Sequence, residues 1–266
     1  MFWLLLSCSP QPVAAAGPSC VLGPEWSTWG PGLETRLLQS DRHGPVGDGQ
    51  IVVVRADPTQ WELTLTGPAL AENTSAKAYA RRHQLTLATN AGMFATDYKT
   101  HVGELMVQGR TMAQPNTDYQ SVAEFGPRLS GEPAFRIRDL DVDRDKGSYD
   151  NRVQNLRLIK RPGENRWKQQ DKRWSEMALG EDKLGRALFV FSRSPHTMHD
   201  LNAVLLASDI EIVAAQHLEG GPEAQLFVQV GDCTLEQVGS YETGFNESDD
   251  NALAWPIPNA LGVRAR

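Results

Sequence analysis

The chain has 266 residues and a formal net charge of -7 at pH 7, with 40% hydrophobic and 22% charged residues. This length and composition are typical of one large globular domain. The negative charge argues against a nucleic-acid-binding protein, which needs a concentrated positive surface. No apolar run is long enough to cross a bilayer as a helix.

The N-terminus predicts export, with two processing routes open. Residues 1–6 form an apolar start without a basic first part, which makes an incomplete export signal. Ser7-Cys8 resembles a lipoprotein site that would leave a lipid anchor on Cys8, whereas the alanines at 14–16 before Gly17 resemble an ordinary signal-peptidase site. The alternative is the apolar N-terminus of a cytoplasmic protein. We expect an exported protein that is periplasmic, envelope-anchored or secreted.

The next segment, residues 9–34, is rich in Pro, Gly, Ser and Ala and predicts a tether. We therefore divide the chain into an export signal and tether at residues 1–34 and a single domain at residues 35–266. The two other cysteines, Cys20 and Cys233, either form a disulfide, which an oxidising compartment favours, or remain unpaired thiols. No Cys-x-x-Cys spacing occurs, so we expect no structural zinc site.

The first strands of the predicted domain are followed by a helix. Residues 51–55 form a β-branched run, and residues 61–66 alternate apolar and polar side chains as a half-buried strand does. Asp57-Pro58 between them is a turn signal, so we predict a hairpin. Ser75 then caps a helix.

Two more strands and a loop follow. Residues 85–89 predict a short buried strand that ends at Asn90, and residues 104–108 predict another strand. Residues 139–152 are dominated by Asp, Arg, Lys, Asn and Gly, a composition that predicts an exposed loop.

The late part of the chain is the most regular. An apolar strand at residues 186–191 precedes residues 199–207, whose apolar positions have the i, i+3, i+4 spacing of a helix face. Strands at residues 210–215 and 224–230 follow. A strand, a helix and a strand in so short a span indicate a βα-type unit packed on a larger sheet. We therefore predict an α+β fold with a mixed, largely antiparallel β-sheet core, a few packed helices and a late strand–helix–strand unit.

Asn90 and Gly92 follow the buried strand at 85–89 and form the first candidate site. A polar residue at the C-terminal end of a strand points into the crevice where open sheets place ligands. Gly92 lets the backbone turn sharply or approach a ligand closely. The alternative is a plain turn, in which Asn is favoured because it tolerates a left-handed backbone conformation.

The second candidate site is the acidic loop at residues 219–223, where Glu219 ends a strand and Gly220 and Gly221 follow. This pattern suits a loop that folds tightly under a substrate. Glu219 could act as nucleophile, general base or oxocarbenium stabiliser, with Glu223 as a second carboxylate. The alternative is an acidic turn.

The third candidate site is cationic. Arg193, His196 and His199 lie at the start of the late helix, where free backbone N–H groups and the helix dipole favour an anion. The histidines are three residues apart and could share a helix face, but no third ligand is evident, so we expect neither a metal nor another cofactor. Capping or surface placement is the alternative. A basic stretch at residues 160–173 adds cations, one or two of which we expect to face a phosphate.

Taken in order, five segments resemble the phosphodiester glycosidase family. Its members include exported bacterial proteins and the lysosomal enzyme that removes N-acetylglucosamine from a mannose-6-phosphate diester. The resemblance extends over residues 51–230 and rests on residues 89–94, 102–110, 178–180, 186–191 and 218–221. It implies hydrolysis of a sugar-1-phosphodiester at the anomeric carbon, in an envelope or extracellular glycan.

The resemblance also implies roles for the candidate residues. Glu219 would be the carboxylate that opposes the oxocarbenium ion, with Glu223 as its assistant, and Asn90 would orient a sugar hydroxyl or a phosphate oxygen. Arg193 or Arg173 would anchor the phosphate. The other residues implied to contact the carbohydrate or sugar-phosphate substrate are Gly92, His196, His199, Gly220 and Gly221.

Three positions depart from the family pattern and keep a second function open. Family members usually have Asp at the position of Glu219, Ser at that of Glu223, and Arg near that of Glu176, where Arg173 is the candidate substitute. A shift of a catalytic group by about 1 Å can cost roughly a hundredfold in rate. The alternative to an enzyme is therefore a non-catalytic protein that keeps the fold and binds a glycan or a cell-wall polymer.

Overall fold

Antiparallel β-sheets make up most of the regular structure. The computed structural model describes residues 20–67, 73–143 and 147–266, and within them eighteen strands and two α-helices occur. In chain order the first elements are β1 (Ser27–Gly30), β2 (Leu33–Gln39), β3 (Gln50–Ala56), β4 (Trp61–Thr66), α1 (Ala76–His83), β5 (Leu87–Asn90), β6 (Leu105–Val107), β7 (Arg110–Ala113), β8 (Ser121–Pro127) and β9 (Phe135–Asp139). The later elements are β10 (Tyr149–Asn155), β11 (Arg157–Lys160), β12 (Glu164–Asn165), β13 (Trp174–Asp182), β14 (Ala187–His196), α2 (Met198–Ala207), β15 (Ile212–Gly220), a short 3-10 helix (Gly221–Glu223), β16 (Gln225–Val230), β17 (Cys233–Val238) and β18 (Ala260–Ala265).

The strands form three sheets. The large sheet has the order β1-β2-β3-β14-β13-β15-β11-β12, and the smaller sheets have the orders β7-β6-β10-β8-β9 and β17-β16-β5-β18-β4. β13 pairs antiparallel with both β14 and β15, so these two strands run parallel to each other and α2 connects them across β13. This is the late strand–helix–strand unit that the sequence predicts. The α+β class with a largely antiparallel core is confirmed.

The β-branched run in β3 is explained by the burial of both its faces. Val52 and Val54 belong to the large apolar core that the three sheets share, whereas Ile51 and Val53 pack on the opposite face, with α2. A strand that is covered on both sides reads as a continuous apolar run, without polar alternation. On the outer face of the third sheet, α1 contributes the buried ring of Tyr79.

Side-chain caps fix where both helices begin. The Ser75 Oγ accepts a hydrogen bond from the Ala78 N–H at 3.2 Å, which confirms the predicted start of α1. Thr197 does the same for α2, since its Oγ1 accepts from the Asp200 N–H at 3.0 Å. The second cap places the start of α2 directly after the end of β14.

The hairpin predicted around Asp57-Pro58 is wrong, although the turn is present. The Asp57 carbonyl accepts hydrogen bonds from the backbone N–H groups of Gln60 and Trp61 at 3.0 and 2.9 Å. β3 lies in the large sheet, however, while β4 pairs with β18 in the third sheet. The turn therefore passes the chain from one sheet to another, a route that the local sequence pattern does not distinguish from a hairpin.

The exposed loop predicted at residues 139–152 is wrong at both ends. β10 begins at Tyr149, whose side chain is buried. The side chain of Asp139 is also buried, and its carboxylate accepts a hydrogen bond from Arg157 at 2.8 Å. Arg152 in turn pairs with the buried Glu124 at 3.1 Å, so the high density of charged residues in this segment does not indicate solvent exposure.

The folded part begins before residue 35, where the sequence predicts the domain to start. Trp29 in β1 and Leu33 in β2 are buried in the large core, so the strands start inside the segment that composition assigns to a tether. The export signal at residues 1–6, Cys8 and the alanines at 14–16 lie outside the described residues. No helix in the described part of the chain combines the length and apolar character that a membrane span requires.

A disulfide joins Cys20 to Cys233, with a Cα–Cα distance of 5.2 Å. The structure therefore selects the paired alternative for these two cysteines. The bond ties the start of the described chain to β17, which is one of the two edge strands of the third sheet.

Because the disulfide closes a sequence separation of 213 residues, we expect its removal to destabilise the fold. Replacing both cysteines with Ala should lower the free energy of unfolding by about 2 to 5 kcal/mol, measured by chemical denaturation. A reducing agent should destabilise the wild type similarly and leave the double variant unchanged. Equal stability of the oxidised, reduced and substituted proteins would contradict this expectation.

Candidate active site

The end of β15 carries the central carboxylate. β15 pairs with β13, and the register between them shifts at Leu218, so that Glu219 lies opposite Met177 and His217 lies opposite Ala178. Such a bulge bends a strand locally and changes the direction of the side chains that follow. Glu219 is half-buried, and its carboxylate accepts a hydrogen bond from the Gly220 N–H at 3.1 Å.

The two glycines after Glu219 are required by close packing. A Cβ on Gly220 would lie 2.7 Å from Cδ1 of Trp174, and a Cβ on Gly221 would lie 2.5 Å from the Glu242 carboxylate. Gly221 also has a φ of 62°, which L side chains rarely adopt. The loop backbone therefore lies directly against an indole ring on one side and a second carboxylate on the other.

Asn90 connects the end of β5 to this loop. Its Nδ2 donates to the Glu223 carbonyl at 2.9 Å, and its Oδ1 accepts from the Gln225 N–H at 2.8 Å. The side chain is only 1% exposed. The structure thus brings Asn90 and the acidic loop together, with the Asn90 amide holding the loop in place.

Three carboxyl groups, Glu219, Glu223 and Glu242, form what we call the carboxylate cluster. Burial raises the pKa of Glu219 to about 8, and the charges of Glu223 and Glu242 add to this effect, although the His217 charge and the Gly220 N–H oppose it. Burial and the Glu242 charge raise the pKa of Glu223 to about 7. Burial also raises the pKa of Glu242. The cluster therefore holds at least one proton near neutral pH.

A buried pair lies beside the cluster, between the two central strands. The Nδ1 atom of His217 lies 2.6 Å from one oxygen of the Glu176 carboxylate, and the Trp174 Nε1–H donates to the other oxygen at 2.6 Å. Burial opposes the charge on His217, but Glu176, Glu219 and Glu242 together raise its pKa. Glu176, which the sequence analysis sets apart as a departure from the expected pattern, therefore has an adjacent buried His as its partner.

Gly92 belongs to a second polar wall, next to Asn155 and His101. A Cβ on Gly92 would collide with the Asn155 Oδ1 and would lie 2.6 Å from Cε1 of His101, so only Gly fits there. Asn155 Nδ2 donates to the Ala91 carbonyl at 3.0 Å. The Tyr119 hydroxyl lies 3.9 Å from the Met93 sulfur, in the same turn as Gly92. Burial and the Glu219 charge raise the pKa of Tyr119, which places this wall within electrostatic range of the carboxylate cluster.

The predicted cations are engaged in other contacts. The Arg193 guanidinium donates to three backbone carbonyls and pairs with the Asp249 carboxylate at 2.7 Å. Arg173 donates to the Arg42 carbonyl at 3.1 Å and approaches Asp200 at 3.7 Å. In the described part of the chain, neither guanidinium hydrogen-bonds or forms an ion pair with the carboxylate cluster.

His196 and His199 do not share a helix face, because His196 ends β14 and α2 begins only at Met198. His196 is buried, its Nε2 lies 2.9 Å from the Ser40 Oγ, and burial lowers its pKa to about 4. His199 is partly exposed and lies 3.5 Å from the Asp200 carboxylate. Within residues 20–67, 73–143 and 147–266, no three His, Cys, Asp or Glu side chains converge as metal ligands would.

The sequence does not identify Glu242, Trp174 or the contact of His217 with Glu176 as parts of this site. Glu242 lies in an acidic segment at residues 241–250 that offers no motif, yet its backbone forms a β-bridge with Trp174. Lys172 belongs to the basic stretch at residues 160–173, and its charge lowers the pKa of Glu242. The strands that bring these residues together are distant in sequence, so a local pattern carries no signal for the contact.

The fold has known counterparts among solved structures. The catalytic domain of zebrafish N-acetylglucosamine-1-phosphodiester alpha-N-acetylglucosaminidase, auto-inhibited by its pro-peptide, matches with a TM-score of 0.62 and 16% identity over 89% of this chain and 85% of that chain. A hypothetical protein from Synechocystis matches with a TM-score of 0.63 and 16% identity over 91% of this chain and 64% of that chain. A putative exported protein from Burkholderia pseudomallei matches with a TM-score of 0.53 and 10% identity, over 84% and 75%. Among curated proteins, none matches this chain.

The comparison with family models supplies the identity of the chain. Residues 83–264, more than half of the chain, match the model described as phosphodiester glycosidase. These residues include Asn90, the acidic loop and Glu242, and the match confirms the resemblance that the ordered sequence segments predict. The chain belongs to the phosphodiester glycosidase family.

Proposed function

We propose that this protein hydrolyses a sugar-1-phosphodiester at the anomeric carbon, with the carboxylate cluster as its catalytic centre. Family membership supports this class of reaction. The observation that carries the proposal is the set of half-buried carboxyl groups, Glu219 and Glu223 on one loop and Glu242 packed against it, beside a buried His217–Glu176 pair. Burial raises the pKa of each of these three carboxyl groups, as acid and base roles near neutral pH require.

The leaving group determines what the site must provide. A phosphate monoester leaves readily, so the reaction needs less help from a general acid than ordinary glycoside hydrolysis does. It needs a carboxylate that faces the developing oxocarbenium ion and a donor or cation for the departing phosphate. When the carboxylate cluster is partly protonated, its ionised carboxylate meets the first need and its protonated carboxyl group, as a hydrogen-bond donor, meets the second.

The raised pKa values allow the two roles to be divided between Glu219 and Glu223. Burial raises the pKa of Glu219 to about 8 and that of Glu223 to about 7, so near neutral pH one of them can hold a proton while the other is ionised. The protonated carboxyl would donate to the leaving phosphate oxygen, and the ionised one would face the anomeric carbon.

Protonation also resolves how an acidic site admits an anionic substrate. Each proton on the cluster removes a negative charge that would repel the phosphodiester and adds a hydrogen-bond donor. Lys172 contributes positive charge, which lowers the pKa of Glu242, and the neighbouring carboxylates favour the protonated form of His217. Phosphate recognition would then depend on the protonation state of the cluster. Arg173 and Arg193 would hold the surrounding backbone in place through their hydrogen bonds to carbonyls.

The compartment and the sugar are part of the proposal. The Cys20–Cys233 disulfide and the fold shared with a putative exported protein support action outside the cytoplasm, on an envelope or extracellular glycan. A lipid on Cys8 or cleavage after residue 16 would complete export. An α-linked N-acetylglucosamine-1-phosphodiester is the first substrate to test, because the zebrafish protein of the same fold is described as acting on one.

Glu219→Gln should reduce turnover of such a diester by about a hundred- to a thousandfold, because it removes a preorganised group that acts on charge in the transition state. The measurement is sugar release at neutral pH, and Glu25→Gln, which alters an exposed carboxylate, is the matched control. Equal release by the wild type and Glu219→Gln would remove Glu219 from the mechanism. Binding of the diester without release by the wild type would support the non-catalytic alternative.

Activity requires one of Glu219 and Glu223 ionised and the other protonated, so it should fall as pH rises through about 7 to 8 and the second of the two protons is lost. Glu242 raises both pKa values by its charge, so Glu242→Gln should move this alkaline limb to lower pH. The measurement is the pH profile of kcat/KM for both proteins, with Glu25→Gln again as the control. A limb that stays in place in Glu242→Gln would show that the carboxylate cluster does not control the profile.

The raised pKa of Glu219 also predicts a pH dependence of stability. Below about pH 4 this carboxyl is protonated in both the folded and the unfolded chain. Between about pH 4 and 8 the unfolded chain releases the proton and the folded chain keeps it, so stability is lost as pH rises. The melting temperatures of the wild type and Glu219→Gln should therefore be similar near pH 5, and the Gln variant should have the higher melting temperature near pH 8. A difference that is constant over this range would contradict the raised pKa.

A further inference from the structure

The segment that follows β17 carries Glu242 into the carboxylate cluster. We call residues 239–251 the acidic strap, because they contain four carboxylates and no Lys or Arg. The strap lies so close to the loop after β15 that a Cβ on Gly221 would be 2.5 Å from the Glu242 carboxylate. The charges of Glu219 and Glu223 oppose this position of Glu242. Other contacts must therefore hold the strap in place.

One guanidinium holds both ends of the strap. Arg193 lies on β14 and donates to the Val238 carbonyl, just before the strap, at 2.7 Å. The same guanidinium donates to the carbonyls of Asp249 and Asn251, at the far end of the strap, at 2.9 and 3.0 Å. Its Nε atom also lies 2.7 Å from the Asp249 carboxylate, so the charge of Arg193 is neutralised locally. A guanidinium has five donors in a fixed planar arrangement, which suits it to join acceptors that are distant in sequence.

Ser175 on β13 links Arg193 to the middle of the strap. Its Oγ donates to the Arg193 carbonyl at 2.6 Å and accepts from the backbone N–H groups of Ser240 and Tyr241 at 3.0 and 3.1 Å. Tyr241 directly precedes Glu242, whose own backbone forms a β-bridge with the start of β13. Arg193 is therefore connected to the strap at both ends and, through Ser175, immediately before Glu242.

We propose that Arg193 is a positioning residue that acts through Glu242. By closing the acidic strap, it keeps the Glu242 carboxylate in the cluster, where that charge favours the protonated carboxyl group on which the proposed reaction depends. The inference rests on the proposed function and adds to it a residue that contacts neither the substrate nor the reacting atoms. Arg193 would thus contribute to catalysis from outside the carboxylate cluster.

The charged groups that face Glu242 come from three segments. They are His217 and Glu219 on β15, Glu223 on the short 3-10 helix, and Lys172 before β13. Withdrawal of Glu242 from this set removes a negative charge and lowers the pKa values of Glu219 and Glu223. Direct loss of the Arg193 charge would act in the opposite sense, because removing a cation raises the pKa of nearby carboxyl groups. The two explanations for an effect of Arg193 therefore differ in sign.

The test compares the alkaline limb of kcat/KM for the α-linked N-acetylglucosamine phosphodiester among variants. Arg193→Gln should move the limb to lower pH, as Glu242→Gln does, and the double variant should not move it beyond Glu242→Gln alone. Arg193→Lys keeps the charge but cannot hold all of the acceptors. It should shift the limb less in the same direction, and it serves if Arg193→Gln does not fold. Arg264→Gln, which breaks an exposed ion pair with Glu62 in the third sheet, is the control.

A readout without turnover separates this inference from the proposed function. Carbon-13 NMR titration of labelled glutamate carboxyl groups follows the pKa of Glu219 directly, and Arg193→Gln should lower it relative to the wild type. If the wild type shows no turnover, the proposed function fails, and this titration still decides the role of Arg193. An unchanged or raised pKa of Glu219 in the folded variant overturns that role, whether or not the wild type is active. Limb shifts that add in the double variant would also overturn it, because Arg193 would then act independently of Glu242.

Discussion

The contact between the His217 imidazole and the Glu176 carboxylate controls the charge balance of the site. The two groups lie 2.6 Å apart, both almost fully buried between β13 and β15. An isolated charge at this depth would be strongly unfavourable, and removing one partner of such a pair typically costs about 3 to 5 kcal/mol. The pair is held by the Trp174 indole, whose ring also packs on Gly220. Loss of the pair would therefore disturb both the electrostatics of Glu219 and the position of its loop.

The carboxylate cluster depends equally on how closely the loop backbone packs. Gly220 and Gly221 admit Trp174 and Glu242 at distances that a Cβ would forbid, while Asn90 holds the other end of the loop through two hydrogen bonds. These contacts join strands from the large and the third sheet. This close packing keeps water away from the three carboxyl groups, and no ion pair among the described residues neutralises them. Their pKa values are raised for this reason.

Much of the fold and part of the site could be predicted from the sequence because the relevant signals are local. Ser75 caps its helix, the apolar spacing of α2 is regular, and Asn90 and Glu219 mark strand ends, where side chains with chemical roles are favoured. The resemblance of ordered motifs gave the family. The remaining features depend on contacts between distant segments. Nothing near Asp57-Pro58 indicates that the chain changes sheets there, and nothing near Glu242 indicates that it packs on Gly221. The phosphate-anchoring role expected of Arg193 could not be judged from the sequence, because the judgement depends on its partners. The Arg193 guanidinium binds backbone carbonyls and Asp249.

The central claim is that the protein cleaves the bond between the anomeric carbon and the phosphate oxygen, and isotope labelling tests it most directly. Hydrolysis of an α-linked N-acetylglucosamine phosphodiester in water labelled with heavy oxygen, followed by mass spectrometry of both products, identifies which bond breaks. The account predicts that the label enters the released sugar and that the phosphate monoester stays unlabelled, because water attacks the oxocarbenium-like carbon. Label in the phosphate would show attack at phosphorus and would contradict the account.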